Sequence, residues 1–230
     1  MIRPIIFNTE MVTAILEDRK TETRRLIKFP KNNYTGEFPK ADNTKVYKNT
    51  IFSKKISFYE EPHYCFDMKP PFYQDDILYV RETWAFQCCI ECMNTREDDS
   101  CMSGKTPTVH EDKDTVSEGC YIYRAAHPHS KRVNWRPSIH MPKEAARIWL
   151  KVTEVRAERL KDITHVDIIM EGVMPEYLNS RSGEKTRDDF IRLWNSTVKK
   201  SELEICGWDA NPWVWVINFE RIEKPEGWCI

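Results

Sequence analysis

The sequence lacks an excess of charge of either sign. Its 230 residues include 35 lysines and arginines against 36 aspartates and glutamates, which gives a formal net charge of -1. A protein that attracts nucleic acid through its overall field carries a clear basic excess. Any nucleic-acid binding by this chain must therefore come from a local basic patch.

Long apolar runs are missing as well. No stretch is apolar over the roughly 18 or more residues that a membrane-spanning helix needs. The N-terminal segment MIRPIIFNTEMV is too short and too polar for a secretory signal peptide. We therefore expect a cytoplasmic protein with no membrane partner, and its eight cysteines should be reduced or metal-bound, without a disulfide framework.

The cysteines supply only the first half of a common zinc-binding pattern. Cys89 and Cys92 form a C-x-x-C pair, but no second C-x-x-C follows it. Tetrahedral zinc takes four cysteine or histidine ligands, often as one close pair and a second pair further on. The candidate ligands for a structural zinc are Cys88, Cys89, Cys92, Cys101, His110 and Cys120. The alternatives are reduced thiols in a loop, or a redox pair, although no thioredoxin-like βαβ pattern surrounds these residues.

Helical periodicity predicts a short helix near the N-terminus. Asn8 or Thr9 can cap it, and it should end near Asp18–Arg19, because aspartate tolerates a left-handed turn better than most residues. One face of this helix is apolar and consists of Met11, Val12, Ile15 and Leu16. We expect this face to pack against the rest of the protein.

Two later helices are predicted to begin with capping boxes, in which a hydroxyl and an acid three residues on bind each other's backbone amides. The first box pairs Thr164 with Asp167, and the second pairs Thr186 with Asp189. The second helix carries large apolar residues on one face, namely Phe190, Leu193, Trp194 and Val198.

Several separated segments have the composition of strands. They are residues 77–86, 120–126, 146–160 (one long strand or two bent ones) and 211–222. The last segment alternates strictly, so we expect one of its faces to be largely buried in a closed or nearly closed sheet. That face consists of Trp213, Trp215, Ile217 and Phe219.

Two segments interrupt this pattern. Residues 30–72 are predicted to form a surface excursion with one or two strands, and the polar residues 87–119 an insertion. Non-adjacent strands with a few short helices indicate the α+β class with a curled or barrel-like sheet. We expect a single domain over residues 1–230.

A series of short motifs follows in a distinctive order. The motifs are RKTETRR after the first helix, DILYVRETW after an acidic turn, WRPSIHMP, RIWLKVTEVRAERLKDIT followed by EGV, and NPWVWVINFERI. This order resembles the ASCH family of the PUA-like superfamily, and most closely its phage and prophage members. The resemblance covers most of the chain except residues 30–70 and the cysteine-bearing insertion. It implies a small β-barrel with flanking helices, a cleft beside the first helix, and RNA-related binding.

The resemblance also implies a set of catalytic residues. Small bacterial members resemble amidohydrolases that remove acetate from N4-acetylcytidine, with a Lys-x-x-Thr motif after the first helix and a glutamate from a later one. These residues fall on Lys20, Thr23 and Glu171, as base, nucleophile and support, with no cofactor required in the cleft. The sequence departs from the family pattern where glycine is usual, at Asp18 and in Asp75–Asp76.

The chemistry of these residues depends on the pKa of the lysine. A threonine hydroxyl needs an adjacent base, and burial or nearby cations such as Arg24 and Arg25 can lower a lysine pKa enough for that task. Glu171 can orient Lys20 or protonate the leaving amine, but pairing would raise the lysine pKa. The alternative is an ordinary exposed turn. We expect Lys20 and Thr23 to be partly exposed, so that their alanine variants keep almost the wild-type melting temperature.

Further residues are candidates for binding a nucleoside or RNA. They are Arg24, Arg25, Arg81, Glu82, Trp84, Trp135, Arg136 and His140. Arginines contact phosphates and base edges, tryptophans stack on bases, and a histidine can donate to a substrate carbonyl. The alternative for each is a place in the core or on a solvated, salt-bridged face.

Three functions remain open from the sequence. The first is an ASCH-type protein that binds a nucleobase, modified nucleoside or RNA and hydrolyses an acyl amide such as N4-acetylcytidine. The second is a non-catalytic RNA- or DNA-binding regulatory module of phage origin, and the third is an accessory phage interaction protein. A hydrolase needs Lys20, Thr23 and Glu171 to converge in a concave pocket, whereas a binding module needs only a basic rim.

Overall fold

The structure is a computed structural model, and it describes eight segments of the chain. They are residues 1–29, 44–50, 55–60, 64–88, 108–112, 115–129, 133–174 and 182–226. The chain divides into two compact units. Unit 1 comprises Met1–Ile2, Glu17–Ile77 and Leu150–Ile222, and unit 2 comprises Arg3–Leu16, Leu78–Trp149 and Glu223–Ile230.

Strands outnumber helices among the described residues. The strands are β1 (Ile2–Ile6), β2 (Glu22–Leu26), β3 (Thr44–Thr50), β4 (Lys55–Glu60), β5 (Tyr64–Met68), β6 (Ile77–Arg81), β7 (Trp84–Cys88), β8 (Thr108–Asp112), β9 (Thr115–Tyr123), β10 (Trp149–Arg159) and β11 (Trp213–Ile222). The α-helices are α1 (Thr9–Leu16), α2 (His165–Met170), α3 (Ser182–Thr197) and α4 (Leu203–Cys206). Short 3-10 turns occupy Ser138–His140, Leu160–Asp162 and Lys200–Glu202.

Unit 1 contains two groups of paired strands. Strands β10, β11 and β2 are neighbours in that order, and β3, β4 and β5 form a separate three-stranded sheet. Strand β11 runs antiparallel to β2, with Asn218 opposite Glu22 and Val216 opposite Arg24. Residues directly opposite one another in a sheet point to the same face. This register therefore places two charged residues of β2 beside the Val216 face of β11.

Strand β11 is covered on both faces. Trp215, Ile217 and Phe219 are buried and Trp213 is half-buried, which confirms the prediction for that face. Residues of the opposite face join the core that packs against α2 and α3. That core consists of Leu160, Ile163, Ile168, Phe190, Trp194, Val214 and Val216.

Unit 2 contains α1, the neighbouring strands β1 and β6, and a sheet in the order β7-β9-β8. The backbone amide of Phe7 donates to the carbonyl of Arg81 at 3.2 Å and extends the connection between the first strand and β6. Val12 and Ile15 of α1 are buried, as the apolar stripe predicts. No helix among the described residues is long and apolar enough to span a membrane.

The mixture of strands and short helices fits the α+β class. The described strands do not close into a barrel, so the PUA-like barrel stays a prediction. The described parts of residues 30–72 contain three strands where one or two were expected, and β8 with part of β9 lies within the predicted insertion. The single strand predicted over residues 77–86 is divided at Glu82–Thr83, because β7 pairs with β9.

The predicted helix caps have different outcomes. The side chain of Asn8 accepts a hydrogen bond from the amide of Met11 at 2.8 Å, and Thr164 forms the predicted capping box with Asp167. The cap predicted at Thr186 is wrong, because α3 begins at Ser182 and Thr186 lies buried inside the helix. A threonine three residues before an acid is compatible with a helix interior as well as with a helix start.

Within the part of the chain that the structure describes, three residues other than glycine adopt the left-handed backbone conformation. The φ angle is 55° at Asp18, 66° at Asp75 and 45° at Asn211. Aspartate and asparagine are enriched in this conformation, which glycine adopts without strain. The two aspartates occupy the positions at which the resembling family usually has glycine, so both departures occur where the backbone favours glycine.

Replacing Ile217 with alanine should destabilise the protein strongly. Ile217 is 0% exposed in β11, so truncation leaves a cavity and should lower the free energy of unfolding by about 2 to 5 kcal/mol. The matched control is Ile205→Ala, because Ile205 is 57% exposed and should change stability by at most about 0.5 kcal/mol. Urea unfolding followed by circular dichroism measures both, and equal losses would contradict the burial of this face.

The left-handed turn at Asp18 predicts a second pattern of stability. Asp18→Gly should remain within about 1 kcal/mol of wild type, whereas Asp18→Val should lose about 1 to 2 kcal/mol, since a β-branched side chain is strained at this φ angle. Glu17→Val is the control at the preceding exposed residue. A thermal unfolding series in which Asp18→Val matches the glycine variant would show that the turn is not strained.

Candidate functional site

The centre of the candidate site is a contact between Lys20 and Glu171, which lie 151 positions apart. The Nζ atom of Lys20 donates to Glu171 Oε2 at 2.6 Å and to the backbone carbonyls of Glu171 and Glu22, both at 2.8 Å. Both side chains are buried. The three protons of the ammonium therefore each have an acceptor, as a buried charge requires.

Backbone contacts bring the two segments together. The amide of Thr21 donates to the carbonyl of Met170 at 2.9 Å, and Lys20 and Glu171 form an isolated antiparallel bridge. Arg19 Nη1 donates to the carbonyl of Gly172 at 2.8 Å. Glu171 follows the last residue of α2, so the capping box at the start of that helix helps to set where the carboxylate lies.

Burial and charge act in opposite directions on the lysine. Burial lowers the pKa of Lys20 below its ordinary value, while the charge and hydrogen bond of Glu171 raise that pKa and the charge of Arg25 lowers it. The net direction is down. The two effects that the sequence left in competition are thus both present, and burial is the larger one, which favours the form that can accept a proton.

Arg24 lies among carboxylates of its own chain. Its Nε and Nη2 atoms donate to Glu158 Oε1 at 3.1 and 2.6 Å, and its Nη1 atom donates to Glu171 Oε1 at 3.3 Å and to Glu22 Oε1. Burial raises the pKa of Glu22, and the neighbouring arginines lower it. The phosphate or base-edge role predicted for Arg24 would have to compete with these contacts.

Thr23 lies on a different face of the sheet from Glu22 and Arg24. Successive residues of a strand alternate between faces, and Thr23 is directly opposite Ile217 in β11. The hydrogen bonds of Lys20 and Glu171 described above do not include Thr23. Its role as nucleophile stays a prediction.

Arg25 shares the Thr23 face of β2, opposite Trp215. Burial lowers the pKa of its guanidinium, and the charge of Glu171 acts against that shift. The side chain therefore influences the electrostatics of the site. Its predicted binding role is untested.

The expected partial exposure of the site is wrong. Lys20 is 2% exposed and Thr23 is 3% exposed. Lys20 can be buried because carbonyl and carboxylate groups satisfy its ammonium inside unit 1, whereas Thr23 lies opposite the buried Ile217 of β11. The alanine variants are therefore expected to lower the melting temperature, contrary to the expectation from the sequence.

Glu82 belongs to unit 2 and forms a buried ion pair there. Its carboxylate accepts hydrogen bonds from Arg147 Nε at 2.9 Å and from Arg147 Nη2 at 3.0 Å. The same guanidinium lies 4.2 Å from the ring centre of Tyr123. This bidentate arrangement explains the burial of Glu82 without a substrate.

The remaining binding candidates also lie in unit 2. The guanidinium of Arg136, an exposed residue, lies 5.1 Å from the ring centre of the buried Trp84. Trp135 is half-buried, with the Arg124 guanidinium 5.4 Å from its ring. Two cation–aromatic contacts thus hold arginines against aromatic rings in unit 2.

Two other predicted residues belong to unit 2. His140 is exposed at the end of a 3-10 turn. Arg81 Nη1 donates to the carbonyl of Ile139 at 3.2 Å. Their binding roles stay predictions.

The zinc hypothesis falls mostly outside the described residues. Cys89, Cys92 and Cys101 are not among those residues, while Cys88 and His110 belong to β7 and β8. Cys120 is a buried cysteine of β9 and lies opposite Gln87. No group of three possible ligands occurs in the described segments. A structural zinc stays a prediction.

The structure adds residues to the site for which the sequence pattern is only a weak signal. Glu22 and Arg24 alternate within TETRR, and Arg156 and Glu158 alternate within EVRAER. Alternate charges in a strand segment point to one face, but on sequence alone that face is expected to be solvated. Comparison with protein-family models, curated proteins and solved structures found no match to this chain.

Replacing Glu171 with glutamine should destabilise unit 1. The change leaves the buried ammonium of Lys20 without its carboxylate, and breaking a buried ion pair lowers the free energy of unfolding by about 3 kcal/mol or more. Asp189→Asn is the control, since it breaks the Asp189–Arg192 contact, in which Arg192 is mostly exposed, at a loss of about 1 kcal/mol or less. Equal losses in the free energy of unfolding, measured with urea, would show that the Glu171 contact contributes little to stability.

Proposed function

We propose that this chain is an ASCH-type protein that binds a nucleobase, modified nucleoside or RNA and hydrolyses an acyl amide such as that of N4-acetylcytidine. The observation that carries the proposal is the contact of Lys20 with Glu171 at 2.6 Å. These are two of the three residues on which the motif of the resembling family falls. Their meeting across 151 positions is what a hydrolytic site requires and a surface turn does not.

The proposed reaction uses the lowered pKa of the lysine. Neutral Lys20 accepts the proton of the Thr23 hydroxyl while the hydroxyl oxygen forms a bond with the acyl carbon. The carbon–nitrogen bond then breaks, the leaving amine takes the proton back from Lys20, and water hydrolyses the threonine ester to release the acid. Glu171 holds the lysine throughout. Substrate binding must turn Lys20 from the backbone carbonyls that it now contacts toward Thr23, while its contact with Glu171 Oε2 is kept.

The two left-handed aspartates support the family assignment. Asp18 and Asp75 have φ angles of 55° and 66° where the resembling family usually has glycine. The substitutions thus occur at positions whose backbone conformation still suits the family pattern. Asp18 lies two residues before Lys20, so the turn at Asp18 affects the position of Lys20, the proposed base.

The alternative function is a non-catalytic RNA- or DNA-binding module. The burial of Lys20 and Glu171 favours it, because a buried ion pair can serve structure alone. The contacts of Arg136 with Trp84 and of Arg124 with Trp135 also favour it, since arginines and aromatic rings bind single-stranded nucleic acid. In that case unit 2 would carry the function.

A hydrolysis assay tests the proposal. The wild-type protein incubated with N4-acetylcytidine should produce cytidine, and Lys20→Ala and Thr23→Ala should each lower the rate by about 100-fold or more. The controls are Lys28→Ala and Thr153→Ala, which alter exposed residues of the same types. Chromatography measures the product, and circular dichroism verifies that every variant is folded at the assay temperature.

The assay also separates the two functions. Product formation that is equal in the wild-type and Lys20→Ala proteins would contradict the proposed mechanism. No turnover, together with RNA binding that Arg136→Ala weakens in fluorescence anisotropy, would support the binding module.

A further inference from the structure

Four charged side chains in unit 1 form a closed ring of alternating sign. Arg24 of β2 donates to Glu22, whose Oε2 accepts from Arg156 of β10 at 3.0 Å. Arg156 Nε donates to Glu158 Oε2 at 3.3 Å, and Glu158 Oε1 accepts from Arg24 Nη2 at 2.6 Å, which closes the ring. The amide of Asn218 on β11 bridges Arg156 and Glu22 at 2.6 and 3.1 Å.

Stability alone is a poor explanation for this ring. A buried ion pair loses hydration, so apolar residues of similar size are often as stable or more stable in its place. On β11, Val214 and Val216 fill the neighbouring positions of the same face with apolar side chains. The ring does fix the orientation of both guanidinium groups, because each arginine is held through two or more of its nitrogen atoms.

One nitrogen atom of the ring, Arg24 Nη1, also contacts the candidate site. Arg24 Nη1 lies 3.3 Å from Glu171 Oε1, and the other oxygen of that carboxylate accepts from Lys20 at 2.6 Å. Glu171 is thus held at both oxygens by different cations. Asp167 Oδ2 lies 3.6 Å from Arg24 Nη2 and adds a further carboxylate near the guanidinium.

We infer that Arg24 is a positioning residue, and that the ring with Glu22, Arg156 and Glu158 holds its guanidinium so that Glu171 Oε2 faces Lys20. The catalytic meaning of this arrangement rests on the proposed function. The geometry itself predicts an effect on Lys20 that is measurable without any substrate.

Removing Arg24 should raise the pKa of Lys20 for two reasons of the same sign. The carboxylate of Glu171, no longer shared, attracts the lysine proton more strongly, and a nearby cation that repels the ammonium is lost. The charged groups that face Lys20 and Arg24 are Glu22, Arg25, Glu158, Asp167 and Glu171. Arg24 therefore keeps the lysine closer to the neutral form that a base needs.

The test is an NMR titration of the Lys20 side chain in the full chain, with its signal assigned from its loss in Lys20→Arg. Arg24→Gln should raise the titration midpoint by about one pH unit. Arg156→Gln should raise it by less, because this residue acts only by holding its partners. The matched control is Arg192→Gln, which removes an exposed arginine of α3 and should leave the midpoint unchanged.

The second variant keeps the test decisive if Arg24→Gln does not fold. Arg156 has a side chain that is 28% exposed and tolerates substitution more readily. An unchanged Lys20 midpoint in folded Arg156→Gln, or in folded Arg24→Gln, overturns the inference. A fall of the midpoint overturns it as well.

The titration is independent of the hydrolysis assay. A raised midpoint without turnover on N4-acetylcytidine would support the positioning role and contradict the proposed reaction. Turnover with an unchanged midpoint would support the proposed reaction and contradict the positioning role. If the protein turns over N4-acetylcytidine and the midpoint is also raised, the acidic limb of the pH–rate profile of Arg156→Gln should move to higher pH by the same amount as the midpoint. A purely structural role does not produce this shift.

Discussion

The ion pair between Lys20 and Glu171 is the interaction on which the arrangement of unit 1 around the candidate site depends. A buried ammonium is tolerated only when oxygen atoms surround it, and here the acceptors come from the strand itself and from the end of α2. Residues 19–21 must therefore lie against residues 170–172. The backbone bond from Thr21 to Met170 and the bond from Arg19 to Gly172 maintain that alignment.

Burial and the neighbouring charges have opposing effects on the pKa of Lys20. Burial lowers the pKa of Lys20, and Glu171 alone would raise it. Arg24 takes one oxygen of the same carboxylate and is itself held by two glutamates. The result is a lysine that is paired but whose proton is less tightly held than that of an exposed lysine, which links the ring of charges to the proposed chemistry.

Local sequence patterns predicted some elements correctly because their physical causes are local. The cap at Asn8, the capping box at Thr164 and the left-handed turn at Asp18 depend on neighbouring residues only. The cap at Thr186 was wrong, since the same short pattern fits a helix interior. The single strand over residues 77–86 was also wrong, because its division depends on pairing between β7 and β9, and strand pairing is not local.

For the candidate site, the sequence by itself determined the residue types and the motif that places Lys20, Thr23 and Glu171 in one hypothesis. It also determined that β11 buries its alternating aromatic face, since large apolar side chains in strict alternation favour burial wherever the strand lies. Only the tertiary structure decided that Lys20 is buried and that Glu22 and Arg24 belong to a closed ring. The reason is that the burial of a charge depends on partners, and the partners that join β2 to β10 and to Glu171 lie more than a hundred positions away in the chain.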